Sequence, residues 1–156
     1  MIIEGLFKFD PTPQALAAGT ADQISTNVFD AGAAKKLFGG FSQRPPILAV
    51  TYKITAGTGA LSFRVRMLAA AAADLATGTE EIVVDSGVRT LDVDDTALAI
   101  GDTLTFFLAL RSQRVSKRYY GLFYTQGTAD QEGTVTAVVT EAAQTNMPYF
   151  KAAVPS

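Results

Sequence analysis

Apolar residues in this chain recur at a period of two, in runs of strand length set between closely spaced turn signals, and that pattern constrains the fold more than any other feature. Leu48, Val50, Tyr52 and Ile54 share one face of the run from Ile47 to Ile54, and Leu61, Phe63, Val65 and Met67 alternate with Ser62, Arg64 and Arg66. Successive side chains of a strand point to opposite faces, so each run buries one face and solvates the other. The short Gly57-Thr58-Gly59 connection between these two runs predicts a hairpin. Further strands are predicted over Glu81 to Ser86, Thr103 to Leu110 with Leu104, Phe106, Leu108 and Leu110 inward, Arg118 to Thr125, and Thr134 to Thr140. Ser25 to Asp30 and a short piece at Thr90 to Val93 bring the count to about eight, the number that closes a jelly roll or sandwich.

No stretch carries helical periodicity over three turns. Ala69 to Ala76 has the best helix propensity, yet a helix that short is marginal in water, so a helix and an irregular connection are equally admissible there. The pattern predicts an all-β chain with a single-domain, antiparallel, jelly-roll-like β-sandwich over residues 25–143, an N-terminal arm over 1–24 and a C-terminal tail over 144–156. Phe107 and Phe123 fall on the nominally outer faces of their strands, which predicts that part of those faces is covered, by a loop of the same chain or by another subunit.

A chain of 156 residues can bury roughly 70% of the surface its unfolded form exposes, so it needs no staple. It has neither cysteine nor histidine. The first absence excludes disulfides, thiolate nucleophiles and thiolate metal sites; the second removes the commonest general base and metal ligand. A net charge of −2 provides no field that would recruit nucleic acid or an anionic membrane. The segment Met1 to Asp10 lacks the basic and long apolar regions of an export signal, and the longest uncharged apolar stretch, Met67 to Ala73, is far short of the roughly 20 residues that span a bilayer. The chain is therefore expected to be a non-enzyme without cofactor or metal, made in a cytoplasm.

The candidate chemistry is sparse. Glu80, Glu81, Asp85, Asp92, Asp94 and Asp95 form the densest acidic group, but they lack the spacing of a calcium loop, and the aspartates before Thr96 read as turn formers. Arg111, Arg114, Lys117 and Arg118 form a basic cluster with no intervening carboxylate, which reads as a solvated turn or a rim contact to an acidic partner surface. The termini combine large apolar side chains with prolines: Phe7 and Phe9 precede Pro11 and Pro13, and Met147, Tyr149 and Phe150 flank Pro148. Such segments should not float in water; they either fold back on their own sandwich or reach a neighbouring subunit. Phe7, Phe9, Arg111, Arg114, Lys117, Arg118, Met147, Tyr149 and Phe150 are accordingly the candidate partner-binding residues.

The order of segments resembles the capsid cementing, or decoration, proteins of short-tailed bacteriophages. The resemblance rests on Leu6-Phe7, Phe9-Asp10 and Gln14-Ala15, then on the block Ser25-Thr26-Asn27-Val28-Phe29-Asp30-Ala31-Gly32. It continues through Leu48 to Ile54 and Leu61 to Leu68 to Arg118-Tyr119-Tyr120-Gly121-Leu122-Phe123-Tyr124 and Gly133-Thr134-Val135-Thr136-Ala137. It spans nearly the whole chain, and departs from the family at Ala31, at Pro45-Pro46 and in the longer, Pro-ended tail. The resemblance implies a jelly-roll-like fold, a homodimer (a trimer being the other option), and attachment to the major capsid protein on the outside of an HK97-type shell, where it would reinforce capsomer junctions as part of the virion. Two other classes remain open at this stage: another phage structural β-module of tail, baseplate or receptor-binding type, and a carbohydrate-binding sandwich, which the absence of Trp disfavours.

Overall fold

A computed structural model describes residues 8–30, 36–37, 46–58, 60–75, 80–92, 100–110, 113–114 and 117–141. Its strands are β1 (Lys8–Leu16), β2 (Gln23–Ile24), β3 (Phe29–Asp30), β4 (Lys36–Leu37), β5 (Pro46–Ala56), β6 (Ala60–Ala70), β7 (Glu81–Asp85), β8 (Arg89–Asp92), β9 (Thr103–Ala109), β10 (Gln113–Arg114), β11 (Tyr119–Gln126) and β12 (Glu132–Glu141). No helix occurs among the described residues, and the chain is all-β. One sheet has the order β1-β12-β5-β9; the other runs β2-β11-β6-β7, with β3 also on β11 and β8 also on β6, and every pairing is antiparallel. β4 and β10 form a separate two-stranded ladder.

The alternation read from the sequence sets the core. Leu48, Val50, Tyr52 and Ile54 of β5 and Val135, Ala137 and Val139 of β12 share one buried cluster with Leu61, Phe63, Val65 and Met67 of β6 and Tyr120, Leu122 and Tyr124 of β11. Each such large side chain taken out of water contributes about 1.5–3 kcal/mol. The Tyr52 and Phe63 rings stack with centroids 4.2 Å apart, and Phe63 lies 6.1 Å from Tyr124, so an aromatic column joins the two sheets.

That stack corrects the predicted hairpin. β5 pairs with β12 and β9, whereas β6 pairs with β11, β7 and β8, so β5 and β6 belong to different sheets and face each other through their side chains. The connection is an arch, and Gly57 shapes it. Its φ of +144° is disfavoured for other residues, and a Cβ there would stand 2.7 Å from Leu61 Cδ2. A hairpin would put both apolar faces on the same side of one sheet; the arch closes them onto each other.

Three further differences concern the N-terminal part of the chain and the alanine run. The expected arm over 1–24 contains β1, an edge strand that pairs with β12 from Lys8↔Val138 to Leu16↔Gly133 with two register shifts. Pro11 and Pro13 are tolerated because only an edge strand can lack ladder donors. Ser25 to Asp30 is not one strand: β2 ends at Ile24 and β3 begins at Phe29, each touching a different part of β11. The alanine run is no helix, since β6 continues to Ala70 and a turn follows in which Leu75, at φ 54°, is buried.

Candidate interaction surface

Some of the residues on which the resemblance rests, those of β1, of 25–30 and of β11, are joined by one set of hydrogen bonds. Asp10 of β1 is fully buried; its carboxylate accepts the Tyr124 hydroxyl and, at 2.8 Å, the Thr26 amide. Ser25, also buried, donates its hydroxyl to the Asn27 carbonyl at 2.8 Å and accepts the Leu122 amide at 3.0 Å. The Asn27 side chain donates to the Lys8 carbonyl at 2.9 Å and its amide donates to the Phe9 carbonyl at 3.0 Å. The Arg118 guanidinium then clasps the Asp30 carboxylate through two bonds of 2.7 and 2.8 Å. These short polar residues tie β1 and the irregular 25–30 segment to β11, supplying partners to backbone that has no ladder of its own. Burial, the nearby Asp10 charge and the hydrogen bond to it raise the Tyr124 hydroxyl above the usual tyrosine range.

A second polar group sits where β5, β6, β11 and β12 turn. The Tyr52 hydroxyl donates to Gln126 Oε1 at 2.8 Å and accepts from Gln131 Nε2 at 2.9 Å. Gln126 Nε2 donates to the Ala17 and Gln131 carbonyls, and Gln131 Oε1 accepts the Gly127 and Ser62 amides. Both glutamines are buried, and the donors and acceptors they spend on backbone make this an organiser of loops rather than a reactive centre.

Of the predicted partner-binding residues, Phe7, Arg111, Met147, Tyr149 and Phe150 lie outside the described residues, and Arg114 is described only as backbone in β10. Phe9 is corrected: it is 2% exposed in the core of its own sandwich, so its burial energy goes to folding and is not held for a neighbour. Lys117 is half-buried and its carbonyl accepts the Tyr120 hydroxyl at 3.0 Å. Arg118 is exposed, but its charge is balanced by Asp30 and its guanidinium lies 5.2 Å above the Tyr119 ring, so it is committed within the chain. The basic cluster is therefore not four free cations.

The two sheets present different exteriors. On β6, β11 and the strands beside them, Arg66 pairs with Asp22 at 2.6 Å, Asp22 also accepts the Thr125 hydroxyl, and Arg64 pairs with Asp85. The exterior of the other sheet is sparsely charged: Ala49 and Thr51 of β5 lie beside Val138 and Thr136 of β12 on one side and Phe107 and Thr105 of β9 on the other, with exposed Lys53 further along β5 and Lys8 on β1. Phe107 is 47% exposed, while Phe123 on β11 is half-buried. Of the two covers the sequence allowed for Phe107, no described loop of the same chain provides one. Among the described residues no group of three or more acidic side chains could hold a metal ion, and Asp94 and Asp95 lie outside them.

No protein-family model matches this chain, and no curated protein matches it.

Proposed function

We propose that this chain is a non-enzymatic structural protein of a phage capsid, which sits on the outside of an HK97-type shell as a homodimer and cements neighbouring capsomers through the major capsid protein. The observation that carries the reading is the set of hydrogen bonds just described. Phe9-Asp10, Ser25-Thr26-Asn27, Asp30 and Arg118 to Tyr124 are far apart in sequence, are among the residues on which the resemblance rests, and act as one structural unit.

The strand order supports the jelly-roll-like part of the reading. Four antiparallel pairs, β1·β12, β2·β11, β5·β9 and β6·β7, nest within one another along the chain, as in a long ribbon of paired strands wrapped into two sheets. The polar side chains of the interior are engaged in holding segments together, which suits a part that must be rigid rather than reactive. A dimer on a shell gains through effective concentration once one half is bound, so each contact can be individually weak.

The test is co-sedimentation of the purified protein with undecorated shells of its parent particle. Saturable binding, with a gain in the heat resistance of the shells, is expected. Attachment should survive a rise in salt from about 0.1 to 1 M, because the sparsely charged sheet exterior offers little for salt to screen. Protein that stays in the supernatant, or that decorates only the tail in electron micrographs, refutes the reading.

A further inference from the structure

Four edges bound the two large sheets, and three carry features that deter a further strand from pairing. The β1 edge has Pro11, Pro13 and two register shifts. The β2 and β3 edge is split into two-residue pieces. The β7 and β8 edge is short, interrupted and charged, with Glu81, Asp85, Arg89 and Asp92 along it. β9 has none of these features: Thr-Leu-Thr-Phe-Phe-Leu-Ala contains no charge, proline or glycine, and it keeps an unbroken register with β5.

The hydrogen bonds that flank β9 reveal which of its backbone groups point away from β5. Leu110 N–H donates to the Pro46 carbonyl at 2.8 Å, and Ile54 N–H donates to the Asp102 carbonyl at 3.1 Å. Antiparallel ladders alternate, so Leu104, Phe106 and Leu108 exchange bonds with β5, whereas Thr103, Thr105, Phe107 and Ala109 turn their N–H and C=O groups outward. All four of these residues are exposed, and no described residue bonds to their backbone. The inward side chains of the strand are also incompletely covered: Leu104, Phe106 and Leu108 pack against the core yet remain only partly buried.

We propose that β9 pairs antiparallel with β9 of a second copy of this chain, about a two-fold axis at Phe106, joining the two four-stranded sheets into one continuous sheet. A second copy fits because a two-fold antiparallel pairing brings a residue near the axis close to its own copy, where a charge would be repelled by a like charge, and β9 has none. The register is self-complementary. With Phe106 opposite Phe106 of the partner subunit, Leu104 faces Leu108, Thr105 faces Phe107 and Thr103 faces Ala109, so all four outward residues exchange backbone bonds and all three half-covered inward side chains gain a neighbour.

This inference deepens the homodimer part of the proposed function and rests on that part alone. An edge-to-edge contact is small, so the dimer should be reversible. Sedimentation equilibrium should show the mass rising from the 16.5 kDa monomer towards twice that value as concentration increases. Thr105→Pro removes an outward N–H without breaking the β5 ladder, and Thr105→Lys sets a charge near the axis; each should weaken dimerisation by at least about tenfold. If the proline variant does not fold, the lysine variant decides. The chain has no native cysteine, so a mixture of Thr105→Cys and Phe107→Cys chains should form a disulfide between copies, because facing residues of this kind lie about 5.5 Å apart at Cα. Monomer at every concentration, or a dimer indifferent to both Thr105 variants, overturns the β9 interface. A dimer of the second kind leaves the shell-binding reading standing, while a β9 dimer that ignores shells overturns that reading and not this one.

Discussion

Substituting Tyr124 by Phe removes one hydroxyl from the interior and nothing else, which makes it a clean probe of the lock between β1 and β11. Tyr124 and Asp10 are both fully buried, and the Asp10 carboxylate accepts the Tyr124 hydroxyl on one oxygen and the Thr26 amide on the other. A hydrogen bond to a charged group contributes about 1.5–3 kcal/mol, and Y124F leaves a carboxylate out of water with one partner fewer. Y124F should therefore destabilise by about 1.5–3 kcal/mol, lowering Tm by roughly 3–12 °C for a domain of this size. D10A should be worse, at about 2–5 kcal/mol, because it strands the Tyr124 hydroxyl and the Thr26 amide together. In the double variant the hydroxyl is already absent, so the combined loss should fall short of the sum by about 1.5 kcal/mol or more. Urea unfolding followed by far-UV circular dichroism measures all four corners of the cycle. Additivity within about 0.3 kcal/mol would refute the lock, showing that the two groups do not depend on each other.

The acid limb of stability should begin near the ordinary carboxylate pKa of 3.8. Hydrogen bonds from Arg64 to Asp85 and from Thr58 and Thr128 to Asp130 hold those carboxyls below it, and at Asp22 the Thr125 and Arg66 bonds outweigh the opposing effect of burial. A depressed folded pKa contributes stability that is complete above the unfolded value and is lost as pH falls through the folded one; with no histidine to titrate, the urea midpoint should be flat from about pH 6 to 9 and fall below about pH 4. On the alkaline side burial raises Tyr52 and Tyr124 and pushes Tyr120 up to about 12, so absorbance at 295 nm should show these three of the five tyrosines ionising at higher pH in the native protein than in urea. Gly133→Ala places a Cβ 2.2 Å from the Tyr52 ring, which the Phe63 stack and two glutamine bonds hold in place, so overpacking should destabilise by about 1–3 kcal/mol in thermal melts where an ordinary strand Gly→Ala would stabilise.

Much of the fold was legible because a strand with one buried face writes its period into the sequence. Leu48 to Ile54, Leu61 to Met67 and Leu122 to Tyr124 alternate in sequence and are buried in the structure at those positions. β1 was not legible. Its prolines read as breakers, and the strand survives only because it lies at an edge and because Asp10 and Asn27 fix its irregular stretch, a pairing that no local pattern announces. The same oversight made Phe9 an interface candidate: an apolar residue before two prolines looks unpartnered until β12 is known to run beside it.

The hairpin and the arch show where sequence periodicity runs out. Two alternating runs joined by a glycine turn satisfy both, since alternation fixes which residues share a face and is silent on whether the next strand continues the sheet or crosses over it. The choice rests on what each face meets. Beside β5 the sheet positions are taken by β12 and β9, strands that lie later in the chain, and a paired β6 would displace one of them. By crossing instead, β6 brings Phe63 onto Tyr52 and leaves its own edges to β11 on one side and to β7 and β8 on the other. Among the described residues that arrangement also makes β9 the last strand of its sheet. The crossover that closes the core therefore also leaves the seven uncharged residues Thr103 to Ala109 at a sheet edge among the described residues.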